Sequence, residues 1–304
     1  MIPPLLAKMK NRKTSKYPLI LDGAMGTELL RMGVELPLPL WSAGANEICS
    51  DNVFKIHQEY VKSGADVLTT NSFRTTPYAY QKAGYSKNDA FSKSEKSLKK
   101  AVLSAKKAVT STQLIAGSIA PIEDCYSPEM YPGDTQLKKS MDSVLKWFHE
   151  AEVDIIFFET MGNVREISSV VLSVKNCELP IWVSLILEDK NHLLDGTPLD
   201  KILGILSDTK VAVLLLNCNT IQLTCKAIPI LKRYWNRSWG VYPNLGSKNP
   251  EIDGKIERII SDATWKCHVM KILSEKPAVF GACCGSTPEH IRIIKEIIQA
   301  RSVE

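Results

Sequence analysis

The sequence predicts a (β/α)8 barrel in a single domain, and three observations predict it. Eight short apolar runs recur along the 304 residues. Each run ends in polar or glycine-containing residues and is followed by a stretch of helical character. The runs are rich in β-branched and aromatic residues with little polar alternation, as expected of strands covered on both faces. A doubly wound open sheet is the competing architecture, but it usually carries fewer strands and a glycine-rich first turn. In "PLILDGAMGTE" the glycines Gly23 and Gly26 do not spell a phosphate cradle, so the barrel is preferred.

The strand runs, in order, are "PLILDG" ending near Gly23, "ADVLTTNSF" near Asn71, "QLIAGSIAP" near Ser118 and "VDIIFFET" near Glu159. They continue with "PIWVSLIL" near Leu187, "VAVLLLNCN" near Cys218, "SWGVYPNLG" near Asn244 and "AVFGACCG" near Cys284. Between them, "NEICSDNVFKIHQEYVKSG" has an apolar stripe at helical spacing and stops at Gly64. "EKSLKKAVLSAKKAVTS" and "TPEHIRIIKEIIQA" read likewise, the second with Thr287 as N-cap and Pro288 in the first helical position. No repeat or linker divides the chain, so residues 17–304 are expected to form one barrel. The basic stretch "AKMKNRKTSKYP" has no acidic residue among its lysines and arginine, and residues 1–16 are expected to be a solvated tail.

With 44% hydrophobic and 23% charged residues the composition is that of a globular protein, and the net charge of +5 is spread along the chain. Nothing argues for DNA, RNA or a membrane as partner, and no run is long and apolar enough to span a bilayer. The eight cysteines are scattered, without an export signal, so reduced thiols and a cytoplasmic location are expected. Oligomeric state is not legible.

In a barrel of this kind chemistry collects where the strands end. Asp22, Asn71, Ser118, Glu159, Asn217, Cys218, Asn244, Cys283 and Cys284 all fall at such ends. Polar residues closing otherwise apolar strands are hard to explain as packing. Adjacent side chains on a strand point to opposite faces, so Cys283 and Cys284 cannot both be core. A turn at Gly285 would let both aim at one point. With Cys218 they would supply three soft ligands for zinc and leave a fourth position open, the mark of a catalytic site. Buried cysteines can also be plain small hydrophobes, and Cys49, Cys125, Cys177, Cys225 and Cys267 are read that way. A redox-active vicinal pair is a third possibility for Cys283 and Cys284. A zinc with three thiolates is a poor Lewis acid for hydrolysis, but it suits binding a fourth thiol as a nucleophilic thiolate. The reaction class is then alkyl transfer to a thiol.

Here the residues resemble a known family. "LDGAMGTEL", "TTNSFRTT", "GSIAP", "FFETM", "LLLNCN", "YPNLG" and "FGACCGSTPEHI" are similar to the motifs of the homocysteine S-methyltransferases, in the same order from Leu21 to Ile291. That family includes the S-methylmethionine and betaine enzymes and the homocysteine module of cobalamin-dependent methionine synthase. The resemblance implies zinc on Cys218, Cys283 and Cys284, and homocysteine as the acceptor. It also implies that Glu159, with Asp22, receives the amino group of homocysteine, since a buried ammonium needs a carboxylate. Asp22 could instead serve the turn before Gly23, and Glu159 could cap the helix near "NVREI". Asn244 would contact the metal or position substrate, or else stabilise the turn with Pro243. Ser118 and nearby backbone N–H groups would hold the carboxylate of homocysteine.

The donor is read from what the chain lacks and from two local features. The chain ends soon after the second cysteine motif, so the folate and cobalamin modules of methionine synthase are not expected, nor is the C-terminal extension of the betaine enzymes. Thr160 follows Glu159 where betaine enzymes carry an aromatic residue. "PLPLWSA" resembles a stretch of the S-methylmethionine enzymes, and a sulfonium could lie on Trp41 as a cation–π contact worth about 0.5–2 kcal/mol. Trp41 could equally pack a loop over the barrel mouth. "TTNSFRTT", by contrast, is nearer the methionine synthase pattern. The expected reaction is transfer of a methyl group from S-methylmethionine to homocysteine, giving methionine. The alternatives are another donor (betaine, S-adenosylmethionine or a methyl-cobalamin partner), another thiol or selenol acceptor, or a barrel that binds zinc and thiols without catalysis.

Overall fold

Along the strand Ile155–Met161 the side chains of Ile155 and Phe157 enter one apolar cluster, while Ile156 and Phe158 enter another. Strands buried on both faces need no polar alternation, which is why these runs read as continuously apolar. The first cluster is the barrel interior, with Leu21, Val67, Leu114, Trp182, Leu215, Tyr242 and Val279. The second fills the space between strands and helices.

In this computed structural model, which describes residues 17–250, 256–257 and 260–303, all eight expected strands form. They are β1 (Leu19–Ile20), β2 (Val67–Thr69), β3 (Leu114–Ile119), β4 (Ile155–Met161), β5 (Ile181–Leu185), β6 (Val211–Thr220), β7 (Ser238–Asn244) and β8 (Val279–Phe280). Their hydrogen-bonded order is β1-β8-β7-β6-β5-β4-β3-β2, every pairing parallel. A parallel bridge between Leu21 and Val67 and the bond from Asp22 N–H to Val67 O (3.0 Å) join the two ends of the sheet. The result is a (β/α)8 barrel. A small antiparallel pair, Leu187–Asp189 with His192–Leu193, follows β5.

Helices return the chain between strands. The stripe expected to run into Gly64 forms two helices, α1 (Ala45–Ile48) and α2 (Ser50–Lys62), because Cys49 takes an extended φ of −149° between them. Gly64 lies at φ +98°, the left-handed conformation in which a helix end favours glycine. The other two expected helices form as α3 (Lys87–Ala108) and α4 (Pro288–Val303), which begins at Pro288. The expected tail, residues 1–16, lies outside the described residues.

Gly240 stands where the barrel wall leaves no room for a side chain. A Cβ there would come within 2.4 Å of the Val279 carbonyl oxygen, on the strand that pairs with it.

Candidate active site

The inward positions of the strands carry an apolar layer and then, one step of two residues further, a polar one. Leu114 and Ala116 are followed by Ser118, Ile155 and Phe157 by Glu159, Val213 and Leu215 by Asn217, and Trp182 by Ser184. The period of two that buries the interior thus delivers the polar residues to the C-terminal mouth.

Glu159 is the centre of that layer. The Ser118 hydroxyl donates to Glu159 Oε2, the Tyr242 hydroxyl donates to Oε1 at 3.0 Å, and Tyr242 is in turn 2.6 Å from Ser184 Oγ. Burial pushes the Glu159 carboxyl up to about 7, against the two hydrogen bonds that favour its charged form. Asp22 accepts from the Thr69 N–H (2.9 Å) and hydroxyl (3.0 Å), fastening β1 to β2. Burial holds it well above the usual carboxylate range, and the charge of Glu159 adds to that. The helix at "NVREI" is capped by Asn163, whose side chain accepts from the Arg165 and Glu166 N–H groups, so Glu159 is not its cap.

The cysteines meet in the same mouth. Cys218 Sγ lies 3.5 Å from Cys284 Sγ, which is 3.9 Å from Cys283 Sγ, and the three sulfurs lie within 4.8 Å of one another. A tetrahedral zinc with Zn–S bonds of about 2.3 Å would set its sulfurs about 3.8 Å apart, so the donor set and spacing fit that ion. The backbone is built to converge here. Cys218 has φ +52°, within an irregular register of β6 against β7 between Asn217 and Thr220. Thr160 has φ +60°, in a similar irregularity of β4. Non-glycine residues in the left-handed region are strained, and bulges of this kind re-aim side chains at strand ends. Gly285, at φ +79°, supplies the expected turn after Cys284.

β7, lying between β6 and β8, laces the three cysteines together. Asn244 Nδ2 donates to the Cys218 carbonyl (2.6 Å), the Cys283 N–H to the Pro243 carbonyl (2.8 Å), and the Leu245 N–H to the Cys284 carbonyl (3.0 Å). The Asn244 Oδ1 accepts from the Gly246 N–H (3.0 Å), so both ends of this amide hold backbone. Asn71 is likewise engaged, donating to Ser42 O and Asn46 Oδ1. Asn217 donates to Thr160 Oγ1 (2.8 Å), and its own oxygen has no partner among the described residues.

Two further residues complete the site. The Tyr126 hydroxyl lies 3.2 Å from Cys218 Sγ, brought there by the loop after β3. Hydrogen bonds from Cys283, then Cys284, with a further one from Tyr126, hold the Cys218 thiol well below its ordinary range. Tyr242 and Tyr126 were not singled out from the sequence. The inward period of β7 could have found Tyr242, while no local signal marks Tyr126. Asp22, Trp41, Ser118, Glu159, Cys218, Cys283 and Cys284 all line one cavity of about 330 Å³, and Trp41 Nε1 would be 2.8 Å from a Cβ at Gly26.

A parallel barrel with two buried carboxylates and three converging thiols at its mouth defines a class of enzyme that works on small molecules at the strand ends. The chain belongs to the homocysteine S-methyltransferase family, whose model matches residues 19–298. It is therefore a methyltransferase. It is 28% identical to the Escherichia coli homocysteine S-methyltransferase over 91% of this chain and 94% of that one. It is 26% identical to homocysteine S-methyltransferase 3 of Zea mays (91% and 88%), and 25% identical to the selenocysteine methyltransferase of Astragalus bisulcatus (92% of each). Its fold matches the E. coli homocysteine methyltransferase MmuM in its metallated form with a TM-score of 0.82, at 24% identity over 95% of this chain and 99% of that one. Among the described residues no helix is long and apolar enough to cross a membrane.

Proposed function

We propose that the protein transfers a methyl group from S-methylmethionine to the thiol of homocysteine, with zinc held by Cys218, Cys283 and Cys284. The observation that carries this reading is the set of three sulfurs at tetrahedral spacing beside a buried carboxylate in one cavity. When bound, zinc supplies the stabilisation that keeps a fourth thiol as thiolate at neutral pH.

The chain's own residues do the rest. Glu159, oriented by Ser118 and Tyr242, takes the ammonium of homocysteine, with Asp22 adding negative charge from β1. In this arrangement Ser118 acts on homocysteine through Glu159, its hydroxyl being already donated there, and the carboxylate falls to neighbouring backbone N–H groups. Asn244 holds the backbone of Cys218 and so fixes the sulfur's direction. Trp41 lines the cavity, and its indole would take a sulfonium by cation–π attraction. The homocysteine sulfur attacks the methyl carbon, the bond from that carbon to the donor sulfonium breaks, and its electron pair goes to the leaving sulfur. The thiol proton is released, and both products are methionine. Binding both substrates in line supplies proximity, and the thiolate form supplies the nucleophile.

The relatives named for selenocysteine support a second acceptor of the same chemistry, a selenol. The test is methionine production by zinc-loaded protein given homocysteine with S-methylmethionine, betaine or S-adenosylmethionine in parallel. Methionine with S-methylmethionine alone is the expected result. Activity with betaine alone would replace the donor, and silence with all three would favour a binding barrel.

A further inference from the structure

The homocysteine end of the cavity is acidic, with Asp22 and Glu159, but a reaction between two α-amino acids brings two carboxylates as well as two ammonium groups. Among the described residues lining the cavity, Arg74 is the one arginine or lysine. It stands on the loop after β2 with its side chain only 10% exposed, and its Nη2 lies 3.1 Å from Asp124 Oδ1 on the loop after β3. A guanidinium so buried presents a planar fork matched to a carboxylate. Asp124 is 45% exposed at its side chain and accepts from the Ser127 hydroxyl (3.1 Å) through its other oxygen. The carboxylate therefore keeps an accessible face.

The loop that carries Asp124 is pinned on both sides. Ile122 N–H donates to Glu166 Oε1 (2.6 Å), and Glu123 accepts from the Tyr78 hydroxyl (2.5 Å) and Lys82 Nζ (2.6 Å). Two residues past Asp124, the Tyr126 hydroxyl touches Cys218. The Arg74–Asp124 pair thus lines the same cavity as the sulfur cluster, on a loop that Tyr126 ties to Cys218.

We propose that Arg74 and Asp124 form the subsite for the amino-acid end of the methyl donor, the carboxylate on Arg74 and the ammonium on Asp124. This rests on the reading above that the donor is a sulfonium amino acid. It also gives a reason for discrimination against betaine, which has a carboxylate but no ammonium proton to donate.

The experiment compares S-methylmethionine with trimethylsulfonium, a donor with no amino-acid end, in wild-type protein and in Arg74→Ala, Arg74→Lys and Asp124→Asn, with thermal melts to confirm folding. In Arg74→Ala the ratio of kcat/KM for S-methylmethionine to that for trimethylsulfonium falls roughly ten- to a hundredfold, as expected for one charge-assisted contact. The fall comes through the donor KM, and Arg74→Lys recovers part of it. An unchanged ratio, or a KM effect confined to homocysteine, overturns the subsite while leaving the donor reading intact. Wild-type protein that makes no methionine from S-methylmethionine overturns both.

Discussion

The hydroxyl of Tyr126 lies 3.2 Å from Sγ of Cys218, although 92 residues separate them in sequence. The loop after β3 thereby reaches across the barrel mouth to the end of β6. In the metal-free site the Cys218 thiol is held low mainly by Cys283 and Cys284 and then by this hydroxyl. In metal-free Tyr126→Phe protein the pH midpoint for alkylation of the cluster moves up. The loss of one hydrogen bond to a charged sulfur corresponds to a rise of about one pH unit in that midpoint. Stopped-flow alkylation measures it, and an unmoved midpoint would refute the role.

Cys284 supplies one of only three sulfurs in the cluster. Cys218 and Cys283 alone would fall short of the three protein ligands that hold a catalytic zinc. Cys284→Ser is expected to lose stoichiometric zinc on dialysis and to lose methyl transfer with it. Metal analysis and the methionine assay read the two effects, and full activity in metal-free variant would end the mechanism.

Glu159 links affinity to pH. Its folded-state pKa is raised from 4.5 to about 7 by burial, so folding favours the protonated form. Stability from this group is fully present below about pH 4.5, declines as pH rises and is gone above about 7. At about 1.4 kcal/mol per unit the ionised carboxylate costs the ligand-free fold about 3 kcal/mol. Glu159→Gln is therefore expected to melt higher than wild type above pH 7 while binding homocysteine far more weakly. In wild type the opposite sign governs substrate, because the ammonium needs the ionised form. The KM for homocysteine should rise as pH falls below about 7, and a flat KM profile would contradict this.

Gly240 tests the barrel wall. An alanine Cβ would sit 2.4 Å from the Val279 carbonyl oxygen, which cannot move without loosening β8 from β7. Overpacking of this kind costs about 3 kcal/mol. Denaturant unfolding of Gly240→Ala should show that loss, together with weaker zinc retention, since β8 leads directly to Cys283.

Much of this was legible in the chain because the interior of a barrel imposes a strict period. The runs around Phe157 and Leu215 read as strands, and their polar ends, Glu159 and Asn217, arrive at the mouth by the same alternation. Gly285 announced the turn that lets Cys284 join Cys218. The helix expected to run into Gly64 was broken at Cys49, where one backbone torsion leaves the helical range without any proline or glycine to mark it. Tyr126, Arg74 and Asp124 lie on loops whose approach is decided by tertiary contacts, so no periodicity in the sequence could place them. Asn244 and Asn71 were legible as strand-end amides, but their hydrogen bonds to backbone and to Asn46 are visible only once the strands are side by side.

The most direct test of the central claim follows the methyl group itself. Zinc-loaded protein is given S-methylmethionine labelled with carbon-13 on its sulfonium methyls and homocysteine labelled with deuterium on its carbon chain, and the products are resolved by mass spectrometry. The account predicts methionine that carries both labels, formed by the wild-type protein and not by Cys284→Ser. Deuterated homocysteine recovered unmethylated, or doubly labelled methionine formed equally by metal-free Cys284→Ser, would contradict it.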